Sequence, residues 1–345
     1  GLTMNAGTTK KELGGFEKYL VIWIPLCMLL GVLLSQYTNI GQAIESFSIR
    51  GISVPIGICL FFMMYPAVLN LKGSELKKLK RNPKPILLTM LANWLVAPLV
   101  GFCVAKLFLA DHDELFVAVI LLSASPCTAM VLVWGSMADG NQEQNVVNTS
   151  LNTLTIMVFY APVVALLTGL QNIEIDRWGL AISVLFFIGL PILLGLLTRK
   201  IVIPRKGLDW FETVYRPLFG KVSIVALLAT LVVLFALNGV TILGNPEFLL
   251  LISVPLLLSF AIVVAFNILI TKMFGLCYRE AVITVIIGSS SHFEIAIATA
   301  IAAYGVGSVA ALGTTMGLFW EIPIMLGLVY LAKYLRERGF WPRSE

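Results

Sequence analysis

The chain has 345 residues, of which 59% are hydrophobic and 12% charged, and its mean hydropathy is +0.93. That composition leaves no room for a soluble catalytic or nucleic-acid-binding domain and describes a polytopic membrane protein embedded in a lipid bilayer. The formal net charge of +5 needs no acidic partner, because all but three of the 24 Lys and Arg (Arg50, Lys106 and Arg177) fall on one side when the loops are threaded alternately across a membrane. The positive-inside rule makes that side the cytoplasm, places both termini there and points to a multi-pass protein of the cell membrane.

Residues 1–17 read as a polar N-terminal tail, and ten apolar stretches of bilayer-crossing length follow, at about 18–37, 52–71, 85–109, 115–136, 146–169, 178–198, 222–243, 248–271, 281–304 and 309–332. The first is too long for a signal-peptide core and has no small-residue cleavage site after it, so it reads as a true span. Spans one and two carry no charge and serve as scaffold. Span three holds Asn93-Trp94 near its middle, an amide suited to interhelical hydrogen bonding or to a ligand. The acidic loop after it, Asp111 to Glu114, reads as a solvated turn.

Span four carries Ser123-Ala124-Ser125-Pro126-Cys127-Thr128-Ala129-Met130 at mid-span. Ser125 followed by Pro126 has the pattern of an N-cap with proline at the first helical position, so this helix is expected to break and restart inside the membrane. Cys127 then falls in the first turn of the second half, where the positive end of the helix dipole favours a thiolate. Of the five cysteines, at 27, 59, 103, 127 and 277, it is the one beside a break. Spans five to eight add few charges; Asn152 in span five stands out because it follows span four closely.

Span nine contains Gly288-Ser289-Ser290-Ser291-His292-Phe293-Glu294. A carboxylate at a helix centre costs roughly 2.5–3.5 kcal/mol to insert, so Glu294 is expected to face a cavity or a partner helix. Ser291 and Glu294 form an S-x-x-E capping box, again the mark of a helix that begins at mid-membrane. Span ten has a second mid-span carboxylate, Glu321, followed by Pro323; it reads either as a protonated group bonded to a neighbouring helix or as part of a proton path. After it, residues 333–345 read as a cytoplasmic basic tail.

Spans four and nine are each the fourth of a set of five, and an odd number of crossings inverts the second set relative to the first. The expected architecture is therefore all-α, with ten transmembrane helices in two inverted five-helix repeats, about 18–170 and 178–332, whose broken helices four and nine cross near the midplane. Both half-helix N-termini would then converge with Ser125, Cys127, Thr128, Ser290, Ser291 and Glu294 on one small polar pocket. Such a pocket suits a compact, oxygen-bearing solute with an affinity for sulfur.

The segments Pro126-Cys127-Thr128-Ala129-Met130-Val131 through Trp134, His292-Phe293-Glu294-Ile295-Ala296-Ile297-Ala298 and Trp320-Glu321-Ile322-Pro323 resemble the arsenical-resistance arsenite efflux transporters of the bile acid/arsenite/riboflavin transporter superfamily. Phe16 to Leu20 and Asn93 to Val96 fit the same pattern. The resemblance implies export of arsenite, and sometimes antimonite, by proton antiport without a cofactor, with Cys127 as the essential cysteine and arsenic ligand and Glu294 as the essential glutamate. It departs from the family at His292, where Asn is common, a change that bears on the pH response. The expected substrate site comprises Cys127, Glu294, Ser125, Thr128, Ser290, Ser291, Asn93 and Asn152, with Glu294 and Glu321 handling protons. The alternative is a sodium-coupled organic anion or bile acid-type symporter on the same fold; an intramembrane metal enzyme is disfavoured because the chain has only two histidines, and His112 lies in an outer loop. The sequence names neither an accessory ATPase nor a metallochaperone.

Overall fold

A computed structural model describes residues 19–49, 52–69, 73–128, 130–244, 246–305 and 307–343. The expected N-terminal tail, most of the Phe16 to Leu20 segment and Ala129 lie outside the described residues. Among the described residues the chain is helical apart from two antiparallel two-residue strands, β1 (Ser48–Ile49) and β2 (Ile52–Ser53). In chain order the helices are α1 (Leu20–Tyr37), α2 (Ile40–Glu45), α3 (Val54–Leu69), α4 (Pro83–Leu109), α5 (Asp113–Ser123), α6 (Met130–Met137), α7 (Gln142–Leu170), α8 (Arg177–Lys206), α9 (Leu208–Val240), α10 (Glu247–Met273), α11 (Tyr278–Ser289), α12 (Phe293–Tyr304) and α13 (Val309–Glu337). Among the described residues seven of these, α1, α4, α7, α8, α9, α10 and α13, are long and apolar enough to cross a membrane. Helix α3 is shorter, and the segments expected as spans four and nine are each two helices, α5 with α6 and α11 with α12.

Large apolar side chains such as Leu87, Leu107, Val158, Leu166 and Leu250 cover the exterior, as a lipid-facing surface requires. The interrupted helices are the opposite. Helix α5 buries every residue from Leu115 to Leu122, and α11 every residue from Ala281 to Ser289. A helix that is apolar on all sides belongs in the interior, and backbone that leaves helical hydrogen bonding at membrane depth must be enclosed by protein. Outer helix α1, by contrast, buries only Leu20, Ile24 and Gly31.

Two helix groups result. In one, α1, α3 and α8 pack on α9: a Cβ on Gly31 would stand 2.6 Å from the Val232 carbonyl oxygen, so these two backbones touch. Ser223 donates to the Met63 carbonyl, and Tyr65 bonds Thr198 at 2.7 Å. In the other, α4, α7, α10 and α13 enclose the interrupted pairs. Gly317 of α13 lets Leu122 of α5 pack directly on its backbone, since a Cβ there would lie 2.4 Å from Leu122 Cδ1.

Three of the long helices contain a single π turn, at Ala92–Val96, Leu185–Gly189 and Phe211–Tyr215. Each is followed by a proline in the same register, Pro98, Pro191 and Pro217. A proline ring clashes with the carbonyl four residues back, here Trp94, Phe187 and Thr213, the middle residue of each π turn. Widening the turn relieves that clash without ending the helix.

Beyond α13 the chain folds back against the end of the bundle that carries the basic loops. Trp341 is buried and donates to Thr271 at 3.1 Å, and the Pro342 carbonyl accepts from the Tyr278 N–H at 3.0 Å. Tyr278 in turn donates to the Ala138 carbonyl, and Arg336 pairs with Asp139 at 3.1 Å. The final described residues thus tie the outer end of α11 to the turn between α6 and α7.

Candidate functional site

The site is built where the two interrupted pairs meet. Pro126, between α5 and α6, and Ser291, between α11 and α12, form one antiparallel β-bridge, and the His292 N–H donates to the Ser125 carbonyl at 2.8 Å. Two breaks that would each strand backbone groups in a dry interior therefore satisfy part of each other. Helix α12 starts just after this rung, at Phe293, and α6 is described from Met130, a few residues beyond it.

The local capping differs from the sequence expectation at both breaks. Ser125 does not cap α6: its hydroxyl donates back to the Leu121 and Leu122 carbonyls, both at 2.9 Å, closing the end of α5. Helix α6 is described from Met130 and residues 126–128 are not helical, so Pro126 is not its first residue and Cys127 lies ahead of its first turn. The Ser291–Glu294 capping box does not form either. His292 is the N-cap of α12, its Nδ1 accepting from the Ile295 N–H at 3.2 Å, while the Ser291 N–H and hydroxyl are both bonded to Glu321 Oε1, at 2.5 and 3.1 Å. A carboxyl oxygen reaching in from α13 thus takes the place that Glu294 would fill in the local box.

Glu294 is buried, and its Oε2 lies 3.2 Å from His292 Nδ1. The same nitrogen accepts the Ile295 N–H, so it carries no proton while it caps the helix. A single ring lone pair therefore faces both the Ile295 N–H and the Glu294 carboxyl.

The remaining expected residues are placed as follows. Cys127 and Thr128 are buried at the first break, and the Cys127 carbonyl accepts from Asn152 Nδ2 at 3.1 Å. Ser290 donates to Ile287 and closes the end of α11. Asn93 is buried within the π turn of α4, adjoining the second break, where a Cβ on Gly288 would stand 3.1 Å from Ala92 Cβ. Cys27 and Cys59 sit on α1 and α3 in the other helix group, and Cys103 is exposed on α4. A cavity of about 50 Å³, lined in part by Ser123, Ser259, Ser289, Ser290 and Ser291, adjoins the second break.

Apart from Asn152, sequence reasoning passed over the amides of α7. Asn145 Nδ2 donates to the Val131 carbonyl at 2.9 Å and also to Gln142 Oε1, and Gln142 Nε2 donates to the Leu132 carbonyl at 3.1 Å. The signal was compositional: Asn141, Gln142, Gln144, Asn145, Asn148 and Asn152 crowd one stretch of a chain otherwise poor in polar groups. Several are left incomplete. Asn93 Nδ2, Asn152 Oδ1 and both side-chain atoms of Asn148 are buried without a hydrogen-bond partner. A buried polar atom in that state costs about 1–3 kcal/mol.

Comparison with known proteins places the chain in a family. The profile of the Sodium Bile acid symporter family matches residues 57–245. Over near-full lengths, the chain is 37% identical to an uncharacterized transporter of Synechocystis (95% of this chain, 91% of the relative) and 32% identical to the arsenical-resistance protein Acr3 of Alkaliphilus metalliredigens (96% of each). It is 30% identical to Acr3 of Corynebacterium glutamicum, over 94% of this chain and 90% of that one. With transporters as relatives over nearly its whole length, and helices of membrane-crossing length, the protein is a multi-pass membrane transporter and not an enzyme. The chain belongs to the Sodium Bile acid symporter family and, within it, to the Acr3 arsenical-resistance transporters.

Proposed function

We propose that this protein exports arsenite, and antimonite where the pocket admits it, from the cytoplasm by proton antiport. The observation that carries the reading is the position of Cys127: the one cysteine at the crossing of the two broken helices, buried at the first break beside a row of amides and hydroxyls, in a chain similar throughout to Acr3 proteins. At neutral pH arsenite is chiefly an uncharged trihydroxide. Condensation with Cys127 forms a sulfur–arsenic bond and breaks one arsenic–oxygen bond, the thiol proton leaving with the hydroxyl as water; hydrolysis reverses it. One thiolate ligand holds the metalloid loosely enough for release, whereas three would retain it.

In this reading the ten expected spans form two inverted repeats, and two pairs of contacts support the relation. Asn152, on the helix after the first interrupted pair, holds the Cys127 carbonyl; Glu321, on the helix after the second, holds Ser291. Trp94 donates across to Thr155, and Trp320 across to Ser253. Rocking one repeat against the other exposes the crossing alternately to the two sides, with both termini in the cytoplasm of a cell-membrane protein. With the site open inward, ionised Glu294 and Cys127 receive arsenite from among Ser125, Thr128, Ser290, Ser291, Asn93 and Asn152. With it open outward, a proton enters between Glu294 and His292, with Glu321 as relay, weakens the site and releases the metalloid.

The test is arsenite accumulation in everted membrane vesicles energised by a proton gradient, comparing wild type with Cys127→Ser. Accumulation by wild type that disappears in the variant and on collapse of the gradient is expected. Sodium-dependent uptake of an organic anion with no movement of arsenite would replace this reading by that of a symporter.

A further inference from the structure

The deepest unmet hydrogen-bonding capacity in the protein belongs to Asn148. Its side chain is fully enclosed, and neither Nδ2 nor Oδ1 has a partner; among the described residues no other buried amide is unmatched at both ends. It stands on α7 between Asn145 and Asn152, whose amides donate to the Val131 and Cys127 carbonyls at 2.9 and 3.1 Å. Positions spaced by three and four residues share one helix face. The face of α7 that reaches the first break and the start of α6 therefore carries Asn148 between two fixed points.

Helix α4 runs along the same part of α7. The two are joined at one end through Thr89, Thr284 and Gln144, at 2.9 and 3.3 Å, and at the other by Trp94 and Thr155 at 3.3 Å. Asn93 lies between those joints on α4, as Asn148 and Asn152 do on α7. The unmatched atoms of this group are two donors, Asn93 Nδ2 and Asn148 Nδ2, and three acceptors, Asn145 Oδ1, Asn148 Oδ1 and Asn152 Oδ1. Each hydroxyl of an uncharged polyhydroxide both donates and accepts, and so uses both kinds; a carboxylate accepts only and leaves the amide oxygens bare.

We infer that Asn148 is a further substrate-binding residue, taking the hydroxyls of the neutral metalloid beside Cys127 and disfavouring organic anions at the same place. The inference rests on the arsenite reading above and deepens it. The experiment measures KM and Vmax for arsenite in everted vesicles for wild type, Asn148→Leu and Asn148→Ala, with the SDS-unfolding midpoint of each purified protein. Asn148→Leu is expected to raise KM at least tenfold, change Vmax less, and leave the midpoint equal or higher, because two buried unmatched atoms have been replaced by apolar ones. An amide with a merely structural role gives the reverse, a lowered midpoint with KM within twofold of wild type, and overturns the inference. If the leucine variant does not assemble, the alanine variant is judged by the same KM criterion. Failure of wild type itself to move arsenite counts instead against the transport reading, so the two outcomes are distinct.

Discussion

Replacing Glu321 by leucine removes the acceptor that holds the second break, and its effect can be worked from the contact itself. The Ser291 N–H and hydroxyl both go to Glu321 Oε1. The hydroxyl can turn elsewhere, but the N–H cannot, and an orphaned buried donor costs about 1–3 kcal/mol. Ser291 is only part-buried, which favours the lower half of that range. Interhelical hydrogen bonds in membrane proteins average about 0.6 kcal/mol and reach about 1.7, so a loss of about 1–2 kcal/mol is expected for Glu321→Leu. Glu321→Gln keeps an oxygen in place. It costs less than about 0.5 kcal/mol if the resting carboxyl is protonated, and about 1 kcal/mol if it is ionised and loses charge assistance. Unfolding free energies from SDS titration of the purified proteins separate these cases. A leucine variant as stable as wild type, or a glutamine variant less stable than the leucine one, would refute the view that this contact holds the break. In vesicles, unaltered proton-coupled arsenite transport by Glu321→Gln would take Glu321 off the proton path.

His292→Asn preserves a residue able to cap α12, so stability should stay within about 1 kcal/mol of wild type, yet it removes the nitrogen that lies 3.2 Å from Glu294 Oε2. The pH dependence of arsenite transport should shift, and an unchanged profile would show that the Glu294–His292 contact plays no part in coupling. Gly135→Ala places a methyl carbon 2.3 Å from Asn145 Nδ2 and 2.8 Å from Ile283 Cδ1, displacing an amide that makes two hydrogen bonds. Those bonds are worth about 1 kcal/mol each, with a further cost if the amide stays buried and unpaired, against about 1 kcal/mol gained in helix propensity. A net loss of about 1–3 kcal/mol in the same titration is expected, and a stabilised variant would show that Asn145 is not fixed on α6.

The helical pieces and the two breaks were legible in the sequence because both follow from local chemistry. Hydropathy marks the apolar runs, and serine, proline and glycine inside them mark the places where a helix cannot simply continue, as at Ser125-Pro126 and Gly288-Ser289-Ser290-Ser291. Cys127 and Glu294 were legible for a related reason: a thiol beside a break and a carboxylate inside an apolar run both need explaining. The capping partners were not. A local box such as Ser291-x-x-Glu294 is worth on the order of 1 kcal/mol, and a carboxylate arriving from α13 can outbid it, but nothing in the order of residues says that Glu321 will be there.

The same limit explains the α7 amides. Their crowding between Asn141 and Asn152 was visible, but whether an amide meets a carbonyl, as Asn152 and Asn145 do, or meets nothing, as Asn148 does, depends on which helices become neighbours. What the sequence by itself determined is the membrane class, the positions of the breaks and the sulfur and carboxyl groups beside them. Only the tertiary structure decided that the breaks pair with each other through Pro126 and Ser291, that Glu294 meets His292, and which buried polar atoms are left without a partner. Hydrogen bonds in an enclosed interior are settled by three-dimensional proximity, and residues far apart in the chain supply the partners.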